Sequence, residues 1–311
     1  RTAMQVTAEN VALLSATVKS IYADAYKAQA GVAAVIATWL PSTQQSESYA
    51  WIGEIPSMRP FLDERTIQAL KDYAYTITNR KYEATIGVTR DMLEDDQTGQ
   101  IALKIRSLAE AGMEHYEQLL FELIRAGETA LCFDGQPFYS AAHAIGAGAG
   151  SNLTSLPLSA ANLQTVLSLM MKRTLPGGEP MNIKPTHLVV PTDLQWTAKE
   201  ILNSGYYPDT ITGGQKLAAN TLQGALELVI SPRLATGAEW HVLDASHSVK
   251  PFIIQQRVMP ELQALDSTDG NSESAFLRDE FYYGVRSRDA AGFGLWQYAY
   301  KSTGLLCRKT L

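Results

Sequence analysis

Acidic side chains cluster within residues 90–100, RDMLEDDQTGQ, where four of them fall within six positions. The four are Asp91, Glu94, Asp95 and Asp96. Such a cluster could bind a metal ion, supply a pair of catalytic carboxylates, or begin a helix. An EF-hand loop starting at the first acid would need an oxygen ligand, a glycine and a glutamate where Leu93, Asp96 and Ala102 stand. Calcium binding of that kind is therefore excluded.

The start of a helix is the use that the neighbouring sequence favours. Backbone N–H groups at a helix N-terminus lack partners, and the positive end of the helix dipole attracts carboxylates, each contributing about 0.3–1 kcal/mol. Asp96 or Thr98 is placed to act as the N-cap of a helix that follows directly. We expect a structural role for the cluster, with metal binding and catalysis as the alternatives.

A second group of reactive types is Asp134, Ser140 and His143, in the stretch FDGQPFYSAAH. These are the residue types of a hydrolase triad, but triad members normally come from distant segments, and Ser140 lacks the G-x-S-x-G turn that exposes a nucleophile. Asp134 followed by Gly135 is instead a strong turn signal. The sequence favours a turn over catalysis.

The remaining candidate ligands also fail to form a convincing site. His241 and Asp244 lie on a predicted strand with their side chains on opposite faces, which separates them despite the nearby His247. Cys132 and Cys307 lack metal-ligand spacing and predict a reduced cytosolic chain, with a disulfide as the alternative. The glycine-rich run at 146–150 has neither a preceding strand nor a P-loop lysine, so we expect a surface loop. The sequence therefore predicts no enzyme, no cofactor and no metal.

Composition narrows the class of protein further. The chain has 311 residues, 46% of them hydrophobic, which is enough for a large core. Its net charge is −6, without the basic stripe of a specific nucleic-acid binder. The longest apolar run, at 31–40, is too short to span a bilayer. We expect Arg1 to be a processed end, with a numbering choice as the alternative.

The elements that must carry these residues mix helices and strands without a regular βαβ rhythm, which predicts an α+β fold. The clearest is a helix over 100–126, about 40 Å long, with apolar residues at a period near 3.6 and Gly127 at its end. Other helices are predicted at 5–30, 159–174 and 191–205. Strands are predicted at 73–90 and 187–191, in ALELVIS, EWHVLDA and PFIIQQRV, and across 275–302. The stretch VIATWLPSTQQSESYAWIGEIPSMRP (35–60) is expected to be extended.

Four stretches together resemble one family, the major head (capsid) protein of Mu-like phages and prophages. They are YAWIGEIPSMRPFLDER (49–65), NRKYEATIGVTRDMLEDDQTGQ (79–100), CFDGQPFYSAAH (132–143) and YYGVRSRDAAGFGLWQYAYKS (282–302). The chain departs from the family pattern at Phe61, where Trp is frequent, and at Ala144, where Pro is frequent.

The resemblance implies the tailed-phage major capsid fold, which encapsulins and the floor of herpesvirus shells share. It divides the chain into an N-terminal arm (1–48), an extended hairpin called the E-loop (49–90), a peripheral domain with a long spine helix (91–154), an axial domain (155–250), and peripheral strands with the C-terminus (251–311). The arm and the hairpin are expected to need support from neighbouring subunits. The acidic cluster becomes the hinge and N-cap between E-loop and spine helix.

The function implied is structural. Copies of the chain would form hexamers and pentamers of an icosahedral head around double-stranded DNA, with a portal, a scaffold or maturation protease, and a possible decoration protein as partners. The expected location is the virion, and the host cytoplasm during assembly, without a membrane. The mild negative charge would keep the inner surface of the shell from binding DNA tightly. The expected inter-subunit contacts are Arg59, Asp63, Glu64, Arg65, Arg286, Arg288 and Asp289.

Two alternatives stay open at this point. An encapsulin-type nanocompartment shares the fold but encloses cargo protein instead of DNA. A soluble metal-dependent hydrolase would require one of the catalytic groups considered above.

Overall fold

The computed structural model describes residues 19–22, 31–49, 75–89, 91–92, 100–145, 148–174, 178–209, 216–234, 237–265 and 279–304. Within them the helices are α1 (Val32–Ile36), α2 (Gln100–Ala126), α3 (Ala160–Met171) and α4 (Gln195–Asn203). The strands are β1 (Ala37–Pro41), β2 (Ser46–Tyr49), β3 (Tyr75–Thr78), β4 (Arg80–Thr89), β5 (His143–Ile145), β6 (Gly148–Gly150), β7 (Leu153–Thr154), β8 (His187–Val190), β9 (Tyr206–Asp209), β10 (Lys216–Ala219), β11 (Glu227–Ile230), β12 (Trp240–Leu243), β13 (Phe252–Leu265), β14 (Glu280–Phe293) and β15 (Ala299–Ser302). Residues 19–22 are helical, and short 3₁₀ turns lie at Thr192–Leu194 and Trp296–Tyr298.

The predicted spine helix is α2, with the bounds that the sequence indicated. It has 27 residues, and its buried positions include Ile101, Ile105 and Leu108 near its start. Gly127 follows its last residue, and a Cβ there would lie 2.6 Å from the ring of Tyr139. The helix therefore ends where only glycine allows the returning chain to pack closely.

A four-stranded sheet in the order β1-β13-β14-β4 lies against the spine helix. Strands β13, β14 and β4 are antiparallel neighbours, whereas β1 runs parallel to β13. Side chains on one face of β14, Phe281, Tyr283 and Val285, pack with Ile105 and Leu108 of the helix in a shared core. Alternation along the strand thus dedicates one face of this sheet to the helix.

A five-stranded sheet in the order β11-β8-β12-β15-β7 forms a second core. Every residue of β8, β12 and β15 is buried. For β8 this confirms the buried strand predicted from the apolar run HLVVP. Helices α3 and α4 pack their apolar faces into the same cluster, with Leu163, Val166 and Leu202 almost fully enclosed. The sheet also joins distant parts of the chain, because β7 and β15 lie outside the predicted 155–250 segment.

The base of the predicted E-loop is an antiparallel pair. Strand β2 pairs with β3, with Ser46 opposite Thr78 and Tyr49 opposite Tyr75. Tyr49 also donates a hydrogen bond of 2.7 Å to Gln255 of β13, which ties this base to the four-stranded sheet. Residues 50–74, where the tip was predicted, lie outside the described part of the chain.

The structure corrects the expectation for the arm. The arm over 1–48 was predicted to find no support within its own subunit, and the stretch over 35–60 was predicted to be extended, which holds for the strands Ala37–Pro41 and Ser46–Tyr49 but not for the end of the preceding helix. In the structure Val32–Ile36 is a helix, and Ala37–Pro41 is an edge strand paired to β13. Ile36 and Ala37 are buried because they pack on the spine helix and Phe252. The support therefore comes from the spine helix and from β13, whose paired residues lie more than 200 positions away, and local periodicity does not reveal such contacts.

Candidate assembly surface

The outer half of the four-stranded sheet leaves one face exposed. On β14 the helix-facing residues alternate with Gly284, Arg286 and Arg288, which point the other way. Arg286 is exposed and Arg288 is half-buried. On the neighbouring strands the exposed positions of the same face are Lys81, Glu83, Thr85, Gly87, Glu261, Gln263 and Leu265. This set is called the open face below.

Charges on the open face follow the strand register. Arg286 lies directly opposite Glu83 of β4 on one side and Glu261 of β13 on the other. Directly opposed residues share a face and lie close enough to interact, so the guanidinium is flanked by two carboxylates. Arg288 lies opposite Lys81 and Val258, which gives that end of the face a positive character. The open face thus presents a patterned mixture of charges.

Asp289 has a different place from the two arginines. Its side chain is fully buried, and its Oδ1 lies 2.9 Å from Nε2 of His115 on the spine helix. The His115 ring packs against Tyr82 of β4, with 4.3 Å between ring centroids. Asp289 therefore connects the sheet to the spine helix within one subunit, and among the described contact candidates only Arg286 and Arg288 lie on the open face.

A groove of about 350 Å³ opens where the spine helix crosses the sheet edge. Its charged lining includes Glu83, Glu114, His115, Glu122 and Arg233. Arg233 is partly neutralised by Glu114, whose Oε2 lies 3.1 Å from its guanidinium. Carboxylates therefore outnumber the remaining cations, and the groove suits a basic partner.

The E-loop residues predicted to make contacts, Arg59, Asp63, Glu64 and Arg65, lie outside the described residues, as do the predicted caps Asp96 and Thr98. The hairpin base has a local anchor in Glu47. Its Oε1 accepts hydrogen bonds from Thr43 N at 3.0 Å and Gln44 N at 3.1 Å. These backbone bonds lower the pKa of Glu47, so the carboxylate stays charged and holds the turn that enters β2.

The catalytic groups considered from the sequence do not assemble. Ser140 Oγ accepts a hydrogen bond from Ala142 N, while the ring nitrogens of His143 lie beside Asp134 Oδ2 and Phe138 O. His241 bonds to Tyr139, and Asp244 lies instead beside His247, at 3.4 Å. At these positions, therefore, no histidine is placed to activate Ser140, and His241 and His247 do not share one site.

The spacing of the cysteines indicated no metal site, but in the structure Cys132 lies beside two other potential ligands. Ligand atoms of Cys132, Asp134 and His143 all lie within 4.8 Å of one another. Burial, followed by the hydrogen bond to Asp134, raises the pKa of the Cys132 thiol well above its usual range, so Sγ stays protonated and donates a hydrogen bond to the carboxylate. Burial opposes the charge of Asp134, but hydrogen bonds from His143, Cys132 and Gln136 prevail and lower its pKa. The spacing C-x-D-x₈-H around a Gly turn was the signal that could have indicated this cluster.

Among the described residues, no helix is long and apolar enough to cross a membrane. A sequence profile of the family described as Mu-like prophage major head subunit gpT matches residues 11–156, 152–234 and 233–311 of the chain. These matches cover nearly the whole sequence, including the segment over 155–250 that carried no motif by itself.

Two curated proteins are similar in sequence to this chain over most of its length. The chain is 28% identical over 276 residues to the Mu-like prophage FluMu major head subunit of Haemophilus influenzae, covering 89% of this chain and 67% of that protein. It is 26% identical over 264 residues to the major capsid protein of Escherichia phage Mu, covering 85% of this chain and 64% of that protein. The chain thus spans about two thirds of the length of these relatives.

Solved structures extend the comparison to the fold. A subunit of the bacteriophage JBD30 procapsid has a TM-score of 0.61 at 27% identity, covering 97% of this chain and 78% of that chain. A virus-like particle from Pyrococcus furiosus has a TM-score of 0.51 at 10% identity, covering 92% and 98%. The second likeness concerns the fold alone, and together they confirm the predicted α+β capsid fold.

Proposed function

This chain belongs to the family of Mu-like prophage major head subunits (gpT), and we propose that its copies assemble as hexamers and pentamers into the icosahedral head of a Mu-like tailed phage. The family consists of structural capsid proteins and not of enzymes. Its members are components of the virion shell, so self-association is the activity to explain. The proposal concerns which surfaces make the shell and what the shell encloses.

The open face is the observation that carries the proposal. An antiparallel sheet can leave one face in water, but here that face carries Arg286 and Arg288 in register with acidic and basic neighbours. Charges ordered in this way favour one orientation of a partner over others. A shell repeats the same contact at every subunit, so modest contacts add up to a stable assembly.

A neighbouring copy supplies the partner in this proposal, through its E-loop over 49–90. The base of that hairpin is anchored on the four-stranded sheet by the bond from Tyr49 to Gln255. The intervening residues include Arg59 and Arg65, which complement the carboxylates Glu83 and Glu261 of the open face and the acidic groove beside it. The chain therefore carries two complementary surfaces, the E-loop and the open face, through which one copy could contact another.

The domain division follows from these roles. Residues 91–154 and 251–311 form the peripheral domain around the spine helix, 155–250 the axial domain, and 1–48 the arm. The pairing of β1 with β13 supports counting the last part of the arm with the peripheral sheet. Strand β15 lies in the five-stranded sheet and so links the two domains covalently and by hydrogen bonds.

Double-stranded DNA is the proposed content of the shell. The net charge of −6 disfavours tight binding to phosphates, which suits a wall along which DNA must move during packaging. A portal and a scaffold or maturation protease would act during assembly. A JBD30 capsid structure is decorated with minor capsid protein trimers, which supports proposing a decoration partner here also.

Expression of the chain followed by electron microscopy tests the proposal. Wild type should form closed shells or capsomers, and the triple variant Asp63→Lys, Glu64→Lys, Arg65→Glu should stay folded but fail to close. A wild-type chain that remains a monomer under every assembly condition would refute the proposal. Nucleic-acid absorbance of particles from infected or induced cells separates a phage head from an encapsulin-type shell, which would carry protein cargo.

A further inference from the structure

The loop that follows the spine helix gathers three different metal-binding side chains. Cys132 Sγ lies 2.9 Å from Asp134 Oδ1, and His143 Nδ1 lies 2.6 Å from Asp134 Oδ2. Cys132 and His143 are buried, and the Asp134 side chain is 10% exposed, which leaves an approach from solvent. A thiol, a carboxylate and an imidazole thus converge at one point.

A tight turn holds the cysteine and the aspartate together. Gly135 N donates to Cys132 O at 3.1 Å, and Cys132 N donates to Gln136 O at 2.8 Å. Gly135 has a φ of +78°, a left-handed conformation that glycine adopts without strain. The backbone therefore fixes the direction of both side chains independently of any ligand.

His143 is oriented from its other side. Its Nε2 lies 3.2 Å from the carbonyl oxygen of Phe138, and its ring stacks on Trp296 with 4.0 Å between centroids and a 6° angle between planes. A carbonyl only accepts hydrogen bonds, so Nε2 carries a hydrogen. Histidines that bind metals commonly donate their second ring nitrogen to a backbone carbonyl in this way.

This orientation has an electrostatic consequence at Nδ1. With Nε2 protonated, Nδ1 faces Asp134 Oδ2 at 2.6 Å, and two acceptors at that distance require a proton or a cation between them. In the structure, hydrogen bonds join Asp134 to Cys132 and to His143 at these positions. A divalent cation bound by all three side chains would take the place of these hydrogen bonds.

We propose that Cys132 Sγ, an oxygen of Asp134 and Nδ1 of His143 form a zinc site that secures the loop after the spine helix. A thiolate and an imidazole favour zinc over magnesium or calcium, which prefer oxygen ligands. Ligand atoms of one tetrahedral zinc lie about 3.3–3.8 Å apart, so the Asp134 side chain must retreat by somewhat under 1 Å. Three protein ligands leave one position for water.

The experiment uses the full-length chain, treated with a chelator and then dialysed against zinc sulfate, with bound zinc measured by elemental analysis. Wild type should hold about one zinc per chain and melt at a higher temperature with zinc than without. Cobalt(II) in place of zinc should give a thiolate-to-metal charge-transfer band. Because changes around a metal ligand already weaken binding about 10–100-fold, Cys132→Ser should weaken it by more than that.

Matched variants decide the outcome. Cys307→Ser removes the other cysteine, and His247→Gln disrupts a different histidine–aspartate pair, so both should bind zinc like wild type. Cys132→Ser keeps a hydroxyl that can donate to Asp134, which preserves the fold even if His143→Gln does not. The proposal is overturned if wild type binds no zinc, or if Cys132→Ser and Cys307→Ser bind it equally.

Discussion

The two principal sheets bury their faces to different degrees. In the five-stranded sheet, β8, β12 and β15 are buried at every position, with α3 and α4 completing the cover. In the four-stranded sheet, the spine helix covers one face, while Arg286 and the positions in register with it remain exposed on the other. The first sheet serves the stability of the subunit, and we propose that the second also offers a surface to neighbours.

The sequences of the strands account for this difference. HLVV and WHVL are continuously apolar or hold their histidines in buried contacts, as covered strands require. RKYEATIGVT alternates, so one face is apolar and the other carries charge. Substitutions should therefore affect folding in the first sheet and assembly in the open face of the second.

The largest effect is expected for Trp240→Ala in the five-stranded sheet. Trp240 is fully buried, and its Nε1 donates a hydrogen bond of 2.9 Å to Leu156 O. The variant should lower the free energy of unfolding by about 3–5 kcal/mol, measured by denaturant titration. Trp196→Ala is the control, because that side chain is 72% exposed and its loss should cost under about 0.5 kcal/mol. Equal effects would contradict the assignment of this core.

The next effect is expected in the spine helix, for Ile105→Ala. Ile105 is fully buried against Phe281 and Val285 of the sheet, so its truncation should cost about 2–5 kcal/mol. Leu103→Ala on the same helix is the matched control, because Leu103 is 58% exposed. If thermal melting ranked Leu103→Ala as the more harmful change, the packing face of the helix would be misassigned.

How much of this difference between the two sheets can be predicted from the sequence depends on how far apart in the chain the interacting residues lie. Strong periodicity indicated α2, and the buried run HLVVP indicated β8, because both patterns are local. The place of β1 beside β13 and the use of Asp289 against His115 depend on contacts between distant segments. The Cys132 cluster was missed because ligand spacing rules assume known motifs, whereas here a single Gly turn creates the proximity.

A smaller effect is expected in the pH dependence of the free energy of unfolding, and it arises from a residue of the five-stranded sheet. Burial, together with the charge of Lys301, lowers the pKa of His241 well below its ordinary value of 6.5. His241 also bonds to the buried hydroxyl of Tyr139, and Lys301 is paired with Glu128 and Glu239. His241 in the folded chain therefore stays neutral in the pH range in which the imidazole of the unfolded chain takes up a proton.

Stability from His241 is accordingly full above about pH 6.5 and falls as the pH decreases, by up to about 1.4 kcal/mol per pH unit. Unfolding titrations between pH 7.5 and about pH 5 should show this slope in wild type and a shallower one in His241→Gln. Trp196→Ala, which removes an exposed side chain without a titrating group, serves as a control and should keep the wild-type slope. An unchanged slope in His241→Gln would show that another group is responsible.

The smallest effect on the subunit is expected for Arg286→Gln on the open face. Arg286 is exposed, and exposed charge pairs contribute about 0–1 kcal/mol, so the free energy of unfolding should change by no more than that. Shell yield should nevertheless fall, because the lost contact recurs at every subunit. Lys172→Gln, an exposed residue just after α3, is the control and should assemble normally. Normal yield from Arg286→Gln would contradict a role for the open face.

The most direct test of the account is an electron cryomicroscopy map of the assembled particle. The proposal predicts that a neighbouring copy covers the open face, with its E-loop residues within hydrogen-bonding distance of Arg286, Glu83 or Glu261. The five-stranded sheet should keep the same cover, from its own subunit, that it has in the single chain. A closed shell in which Arg286 and Arg288 face solvent, with no chain from a neighbour over them, would contradict the account.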